Sequence, residues 1–277
     1  MQLRVPGPTP VPDDVVAAMS AEMINHRGPE FAKLIAEVTA GLKRCFKTEN
    51  DVFILTSSGT GGMEAAVVNT LSPGDRVLAV TIGAFGNRFA EIAEIYGADV
   101  TRLAFPHGEP ADPDAIRRAL QADPTIKAVL VTHNETSTGV TNDLATISEV
   151  VREFGPLLLV DGVSSVGSID LPTDRWGCDV VVSASQKGWM VPPGLAFVSV
   201  SKKAWAAHAT ARMPRFYWDF TLAKKYLARG QTPTTPAVSL MFGMARALQL
   251  IEAEGLENVF ARHARVAARV RAGVREL

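Results

Sequence analysis

Short runs of apolar residues alternate with longer helical patterns over most of the 277-residue chain. Within each run the apolar residues are continuous, as in strands whose two faces are both covered by helices. This alternation predicts an α/β fold with a mostly parallel sheet and crossover helices. The predicted strands are Val52–Leu55, Arg76–Val80, Asp99–Leu103, Ala128–Thr132, Leu157–Val160, Val180–Ser183 and Ala196–Val200.

Two of the helical patterns between these strands have clear first residues. Asp112 precedes Pro113, and Asp143 precedes Leu144, so both helices are predicted to begin after an acidic N-cap. The predicted helices are Met63–Leu71, Phe85–Tyr96, Pro113–Ala122, Leu144–Phe154, Ser239–Glu254 and Leu256–Leu277.

The two ends of the chain differ from the middle. Every second residue from Pro6 to Pro12 is proline, which predicts an extended arm. We therefore expect an extended N-terminal arm over residues 1–17 and a large domain over 18–236. Residues 237–277 are expected to form a helical connection and the start of a truncated carboxyl-terminal domain, because the last predicted helix has neither a cap nor a following strand.

Composition excludes several classes of function. The net charge of −1 gives no electrostatic footprint for nucleic acid or an anionic membrane surface. No apolar stretch approaches the roughly 18 residues that cross a bilayer, and the first residues lack the apolar core of a secretion signal. Cys45 and Cys178 do not have metal-ligand spacing, so we expect no metal site and a reduced, cytoplasmic location.

An ionisable residue follows each of two apolar strands. Asp161 follows Leu157–Val160, and Lys187 follows the strand that begins at Val180. Ligands bind at the carboxyl ends of strands in open α/β sheets. An amine and a carboxylate placed there suit pyridoxal phosphate, whose aldehyde forms a Schiff base with a lysine and whose pyridine nitrogen pairs with a carboxylate. The alternatives are an N-cap role for Asp161 and a solvated surface charge for Lys187.

A glycine-rich segment, residues 57–62, lies between the first predicted strand and the next helix. Its small residues would let backbone N–H groups approach an anion, and the hydroxyls of Ser58 and Thr60 would add hydrogen bonds. The segment lacks the Gly-Lys-Ser/Thr of a Walker loop. It therefore indicates either an anion site or only a tight turn with an N-cap.

Two further segments carry candidate side chains. The ring of Phe85, after the strand Arg76–Val80, would either stack on a flat heterocycle or pack in the core. The segment 132–139 is dense in polar residues, which could place hydroxyls and amides near the ring oxygen of a cofactor. Its His133 and Glu135 are open to interpretation as an acid–base pair or metal ligands, but such loop residues more often face solvent or cap a helix.

Taken together, these segments resemble the class V aminotransferases of pyridoxal phosphate fold type I, in particular the alanine–glyoxylate and serine–glyoxylate aminotransferases. The resemblance covers nearly the whole chain, and its motifs occur in the family's order. The matching segments are Pro6–Pro10, His26–Phe31, Ser58–Ala65, Thr132–Gly139, Val160–Ser165 and Ser185–Lys187.

The resemblance implies a three-layer α/β/α sandwich and a role for each matching residue. Lys187 would form the Schiff base and carry the proton between the substrate Cα and the cofactor C4′, while Asp161 would hold the pyridine nitrogen. The other implied contacts are Val163 and Phe85 on the two ring faces, Thr136 near the phenolic oxygen, Ser58, Gly59, Thr60 and Gln186 at the phosphate, and Thr234 at the phosphate of a neighbouring subunit.

The reaction implied by the resemblance is a two-stage transfer of an amino group from alanine or serine to a 2-oxo acid such as glyoxylate. It would take place in a homodimer whose active site forms at the subunit interface. In the family, the arginine that binds the substrate carboxylate lies in the carboxyl-terminal domain, beyond Leu277. Arg212, Arg215 and Arg229 do not match its motif.

Two alternatives remain open. The first is another class V enzyme: an aminotransferase for aminoethylphosphonate or pyridoxamine, or a cysteine desulfurase. Neither Cys45 nor Cys178 fits the desulfurase cysteine, and Gln186 before Lys187 replaces the histidine typical of desulfurases. The second is an inactive binding or assembly subunit with the pyridoxal phosphate fold.

Overall fold

A computed structural model of the chain describes residues 3–276. Met1 and Gln2 of the predicted arm and Leu277 of the last predicted helix lie outside the described residues. The strands are β1 Asp51–Ser57, β2 Arg76–Thr81, β3 Asp99–Ala104, β4 Ala128–Thr132, β5 Asn134–Glu135, β6 Val140–Thr141, β7 Leu157–Asp161, β8 Val180–Ala184 and β9 Gly194–Val200. The helices are α1 Asp13–Met19, α2 Pro29–Phe46, α3 Gly59–Thr70, α4 Ala84–Ile95, α5 Pro113–Ala122, α6 Leu144–Phe154, α7 Thr173–Trp176, α8 Lys202–His208, α9 Phe220–Leu227, α10 Val238–Glu254 and α11 Leu256–Arg275.

The seven predicted strands form one sheet in the order β1-β9-β8-β7-β4-β2-β3. Strand β9 runs antiparallel to both of its neighbours, and the pairs from β8 to β3 are all parallel. The mostly parallel sheet predicted from the sequence is therefore confirmed. Strands β5 and β6 form a separate antiparallel pair.

Helices cover both faces of this sheet. Helices α2, α5, α6 and α10 pack on one face, and α3, α4, α8 and α9 pack on the other. Successive strand residues point to opposite faces, so Val80 belongs to the first core and Ala79 to the second. Because both faces are buried, the inner strands β4, β7 and β8 are buried at every position, whereas the edge strand β3 is largely exposed. The three-layer α/β/α arrangement is confirmed.

The two helices with acidic start signals begin where the sequence predicts. The Asp112 carboxylate accepts a hydrogen bond from the amide of Asp114, and the Asp143 carboxylate accepts one from Thr146. Helix α6 ends at Gly155, whose φ of 89° lies in the left-handed region that glycine adopts without strain.

Residues 59–62 of the glycine-rich segment are helical, which corrects the predicted helix start at Met63. Helix α3 begins at Gly59, with Ser58 as an extended N-cap residue. Glycine is a poor helix former, but its small size is needed where α3 crosses the sheet. A Cβ atom on Gly62 would lie 2.5 Å from Cγ1 of Val182 on β8. Close packing therefore outweighs the low helix propensity.

The amino-terminal region contains more helix than predicted. The arm expected over residues 1–17 is extended only through Pro12, because α1 begins at Asp13 and buries Val15. The 18-residue helix α2 was not predicted. Its signal is present, since the buried residues recur at helical spacing along one face: Phe31, Leu34, Ile35, Val38 and Leu42.

Among the helices of residues 3–276, none combines the length and the apolar composition that a bilayer crossing requires.

Candidate active site

A cavity of about 260 Å³ lies at the carboxyl ends of β1, β7 and β8 and beside the start of α4. Strands that run in the same direction end at the same edge of the sheet, so residues distant in the chain meet there. All the predicted site residues except Thr136 and Thr234 line this cavity: Ser58, Gly59, Thr60, Phe85, Asp161, Val163, Gln186 and Lys187.

Asp161 is the last residue of β7, and only 3% of it is exposed. Its Oδ1 accepts a hydrogen bond from the Val163 amide at 2.9 Å, while its Oδ2 has only a long contact of 3.4 Å with the Thr132 hydroxyl. Burial raises the pKa of Asp161 to about 6, and the nearby charge of Glu135 acts in the same direction. The second carboxylate oxygen is therefore available to a donor in the cavity.

Lys187 lies in the turn after β8 and is half-buried. Burial lowers its pKa, and the charge of Asp161 opposes that shift. The Lys187 amine donates a hydrogen bond to the Pro6 carbonyl at 3.3 Å. A lysine with a lowered pKa is neutral more often near neutral pH, which is the form that acts as a nucleophile or a base.

The N-terminal arm forms one wall of the cavity through Gly7 and Pro8, a contribution that the sequence did not indicate. The Thr9 amide donates to the Gln186 carbonyl at 3.0 Å, and the Thr9 hydroxyl donates to the Lys187 carbonyl at 3.0 Å. The arm is thereby fixed to the turn that carries the lysine.

The start of α3 gives the cavity a polar end. The first amides of a helix have no partner within it, so the N–H groups that follow Ser58 are free for a ligand. Gln186 lies on the same cavity, and its buried Oε1 has no hydrogen-bond partner among the described residues. A Cβ atom on Gly59 would lie 2.7 Å from Cγ2 of Val163, so only glycine fits beside that side chain.

Phe85 lines the cavity from the first turn of α4 and is partly exposed. The Arg88 guanidinium lies 4.8 Å from the centroid of the Phe85 ring, and its Nη1 donates to the Thr60 hydroxyl at 3.4 Å. These contacts join the starts of α3 and α4 on one side of the cavity.

Two predicted site residues lie outside this cavity. Thr136 is half-buried in the turn after β5, and Thr234 is exposed in the segment that leads to α10. The segment of Thr234 is held by Arg27, whose guanidinium donates to the carbonyls of Thr232 at 2.6 Å and Pro233 at 3.2 Å.

In the polar segment 132–139, His133 and Glu135 are buried rather than solvated, whereas Ser137 is exposed. Burial lowers the pKa of His133 to about 4, and the ring packs edge-on against Trp176. Glu135 is fully buried and caps the start of α4, so it makes no pair with His133. Within residues 3–276, no three or more histidine, cysteine or acidic side chains form a cluster that could hold a metal ion.

A second cavity of about 550 Å³ adjoins the first, and Lys187 lines both. Its other walls come from the arm, from the segments around Asn134 and Ser164, and from α11, which contributes His263 and Arg271. The second cavity has both polar and apolar walls and leads to the lysine from the side of the last helix.

Comparison with known proteins identifies one matching family and several similar sequences and structures. Residues 3–277 match the family described as aminotransferase class-V. The chain is 48% identical to a protein named soluble hydrogenase, small subunit, from Synechococcus sp., with 99% of this chain and 72% of that protein aligned. It is 45% identical to an L-aspartate–glyoxylate aminotransferase from Paracoccus denitrificans, covering 98% and 69% of the two chains. The crystal structure of an alanine–glyoxylate aminotransferase from Nostoc sp. superposes with a TM-score of 0.92 at 34% identity, covering 97% and 75%.

Proposed function

The chain belongs to the class V aminotransferase family, and from that membership we propose that it binds pyridoxal phosphate and transfers the amino group of a small amino acid to a 2-oxo acid. The observation that best supports this proposal is that buried Asp161, half-buried Lys187 and the start of α3 at Ser58 line the same cavity. A carboxylate, an amine and an anion site are the three groups that this cofactor requires.

The residues fit the cofactor on two observations. Asp161 lines the cavity and its Oδ2 has only a 3.4 Å contact with the Thr132 hydroxyl, so this oxygen would accept the N–H of a protonated pyridine ring. The helix amides just after Ser58 would hold a phosphate, and the Nε2 donor of Gln186, which lines the same cavity, would add a hydrogen bond. The remaining proposed contacts are Lys187 with the aldehyde, Val163 and Phe85 with the ring faces, Gly59 and Thr60 with the phosphate, and Thr136 near the phenolic oxygen.

When bound, pyridoxal phosphate would draw electrons from the substrate's Cα–H bond and carry the amino group between the two substrates. Lys187 would remove the substrate's Cα proton and return it at C4′ of the cofactor, and removal of the proton requires a neutral amine. Burial favours that form, because it lowers the pKa of the amine. Asp161 would keep the ring nitrogen protonated, because an adjacent positive charge favours the ionised form of the carboxylate.

The proposed donors are alanine and serine, and the proposed acceptor is glyoxylate. Glyoxylate is supported because two of the similar proteins, the enzymes from Paracoccus and Nostoc, carry it in their names. The Paracoccus enzyme is named for aspartate, so aspartate is the competing donor. We further propose a homodimer in which Thr234 reaches the phosphate site of the partner subunit, supported by its exposure and by the rigid hold of Arg27 on its segment.

Absorbance of the purified protein with pyridoxal phosphate tests this function. The wild type should show the visible band of a lysine-linked cofactor, and Lys187→Ala should lack it. Lys225→Ala, at an exposed position on α9, is the matched control and should keep the band. A band of equal strength in Lys187→Ala would contradict the role of Lys187, and no band in the wild type would contradict cofactor binding.

The donor is tested by a single half-reaction without an acceptor. Alanine or serine should bleach the visible band as the amino group moves to the cofactor, and addition of glyoxylate should restore it. Bleaching by aspartate alone would instead favour the activity named for the Paracoccus enzyme.

A second candidate function is a subunit of a larger redox assembly, favoured by the 48% identity to a protein named as a hydrogenase subunit. This candidate predicts no bleaching with any amino acid and a stable complex with a second protein. The half-reaction experiment therefore separates the two functions.

A further inference from the structure

Glu135 is a fully buried carboxylate at the end of β5. Its Oε2 accepts hydrogen bonds from the amides of Phe85 at 3.0 Å and Gly86 at 3.1 Å. Its Oε1 accepts from the Ser137 amide at 3.1 Å and the Ser137 hydroxyl at 2.7 Å. The buried charge is thus balanced by four donors, which is the condition under which a carboxylate tolerates burial.

These bonds connect two separate parts of the chain. Phe85 and Gly86 belong to the first turn of α4, and their amides are among those that a helix leaves unpaired at its start. The Ser137 hydroxyl extends the connection, because it accepts a hydrogen bond from the Ala84 amide at 3.0 Å. The negative charge also lies at the positive end of the helix dipole, which strengthens the contact.

The approach of the two segments is too close for another side chain. A Cβ atom on Gly83 would lie 2.5 Å from both Glu135 Cγ and Ser137 Oγ. The segment of Glu135 and Ser137 therefore packs directly against the backbone that leads into α4.

We propose that Glu135 is a positioning residue for the cofactor: it fixes the first turn of α4 and thereby the ring of Phe85 against the bound ring system. The inference rests on the proposed function, because Phe85 lines the cavity assigned to the cofactor. Glu135 does not line that cavity and acts through Phe85.

Hydrogen exchange of backbone amides tests the connection itself, without cofactor. In Glu135→Ala, the amides of Phe85 and Gly86 should exchange at least about tenfold faster, since each loses a hydrogen bond to a charged acceptor. Glu135→Gln keeps an oxygen that can accept from both amides, so it should restore most of the protection. Unchanged exchange at Phe85 and Gly86 in Glu135→Ala would overturn the proposal.

Ser137→Ala is the milder variant if Glu135→Ala does not fold. It removes the acceptor of the Ala84 amide and one donor to Glu135, and the Ser137 side chain is otherwise exposed. Exchange at Ala84 should quicken in Ser137→Ala while the fold stays intact. Full protection of Ala84 in this variant would count against the connection.

Cofactor affinity tests the step from Glu135 to Phe85. Glu135→Ala should raise the dissociation constant of pyridoxal phosphate about tenfold. When Glu135→Ala is combined with Phe85→Leu, the two losses of cofactor affinity should not add, because both variants remove the same contact between the Phe85 ring and the cofactor. Additive losses would overturn the route through Phe85.

The matched control is Asp179→Ala. Asp179 is also a buried carboxylate, and it accepts from the Leu158 amide at 2.9 Å and the Ser201 hydroxyl at 2.8 Å, before the start of β8 and away from the cavity. It should lower stability and leave cofactor affinity unchanged. If the wild type does not bind pyridoxal phosphate, the proposed function fails, while the exchange experiment still decides whether Glu135 fixes the start of α4.

Discussion

The amine Nζ of Lys187 lies 3.3 Å from the carbonyl oxygen of Pro6, although 181 residues separate them in the chain. The neighbouring Gly7 passes so close that a Cβ atom there would lie 2.6 Å from Nζ and 2.7 Å from Cδ of the lysine. The arm therefore limits where the amine can lie.

Gly7→Ala should displace the Lys187 side chain, whose flexible end can move, without unfolding the protein. We expect amino-group transfer to slow about tenfold or more, because small misplacement of a reacting group is costly, while the free energy of unfolding changes by less than about 1 kcal/mol. Single-turnover kinetics and urea denaturation measure the two effects. Gly273→Ala, where nothing lies within 4 Å of the added Cβ, is the control. Equal rates in the wild type and Gly7→Ala would contradict the prediction.

Because Asp161 is buried, ionisation of its carboxylate should lower the free energy of unfolding of the cofactor-free protein as the pH rises. Its pKa of about 6 in the fold exceeds the ordinary 3.8, so the folded state holds the proton more tightly, and the stability from this group is lost as the pH rises from 3.8 to about 6. Asp161→Asn should therefore be more stable than the wild type at pH 8 by up to about 3 kcal/mol, and the difference should vanish near pH 4.

Urea denaturation of both proteins, freed of pyridoxal phosphate, measures this difference. Asp13→Asn, at an exposed position, is the control and should not raise the free energy of unfolding at pH 8. Asp161→Asn should also bind the cofactor more weakly, since the ring nitrogen loses its charged partner. A variant less stable than the wild type at pH 8 would show that Asp161 is not penalised by burial.

His133 should have the opposite pH dependence. Burial lowers its pKa to about 4 from 6.5, so the unfolded chain takes up the proton first as the pH falls. The stability that neutral His133 contributes is present above pH 6.5 and is lost progressively toward pH 4, by up to about 3 kcal/mol. His133→Leu should reduce this loss, and His107→Gln, at an exposed position, should not. Parallel curves of unfolding free energy against pH for the wild type and His133→Leu would contradict the prediction.

Replacing Arg27 should weaken cofactor binding more than it lowers the free energy of unfolding. Its hydrogen bonds hold the carbonyls of Thr232 and Pro233, but the side chain is exposed, so Arg27→Ala should cost less than about 1 kcal/mol of unfolding free energy. If Thr234 contacts the partner's phosphate, the dissociation constant of pyridoxal phosphate should rise several-fold, and Arg27→Lys should not rescue it, because lysine lacks the planar fork of donors.

The control for Arg27 is Arg262→Ala, which removes an exposed ion pair with Glu254 on the last helices. It should change neither cofactor affinity nor dimer formation. An unchanged dissociation constant of pyridoxal phosphate in Arg27→Ala would contradict the proposed contact between Thr234 and the phosphate.

The sequence predicted the strands well because their signal is local. Ala128–Thr132 has the predicted bounds, and Asp161 ends its strand as the apolar run suggests. The acidic caps Asp112 and Asp143 act on residues two and three positions away, so their helices were also predicted with their observed bounds. Helix α2 is absent from the predicted helices although its buried residues have helical spacing.

The candidate site was predictable where a motif lies at a strand end, as with Lys187, and not where a contact joins distant segments. The wall formed by Gly7 and Pro8, and the cap that Glu135 places on α4, depend on the order of the strands in the sheet. A polar residue such as Glu135 gives no local sign of whether it will face solvent or a helix start 49 residues away.

By itself, the sequence determined the alternation of strands and helices, the apolar strands of a sheet covered on both faces, and the residue types available for the chemistry. These follow from local periodicity and from side-chain chemistry. Only the tertiary structure decided that the arm contacts Lys187, that Oδ2 of Asp161 has no more than a 3.4 Å contact, and that Glu135 is buried against α4. Burial and long-range hydrogen bonds depend on which segments the sheet brings together, and those pairings are set by the packing of the whole chain.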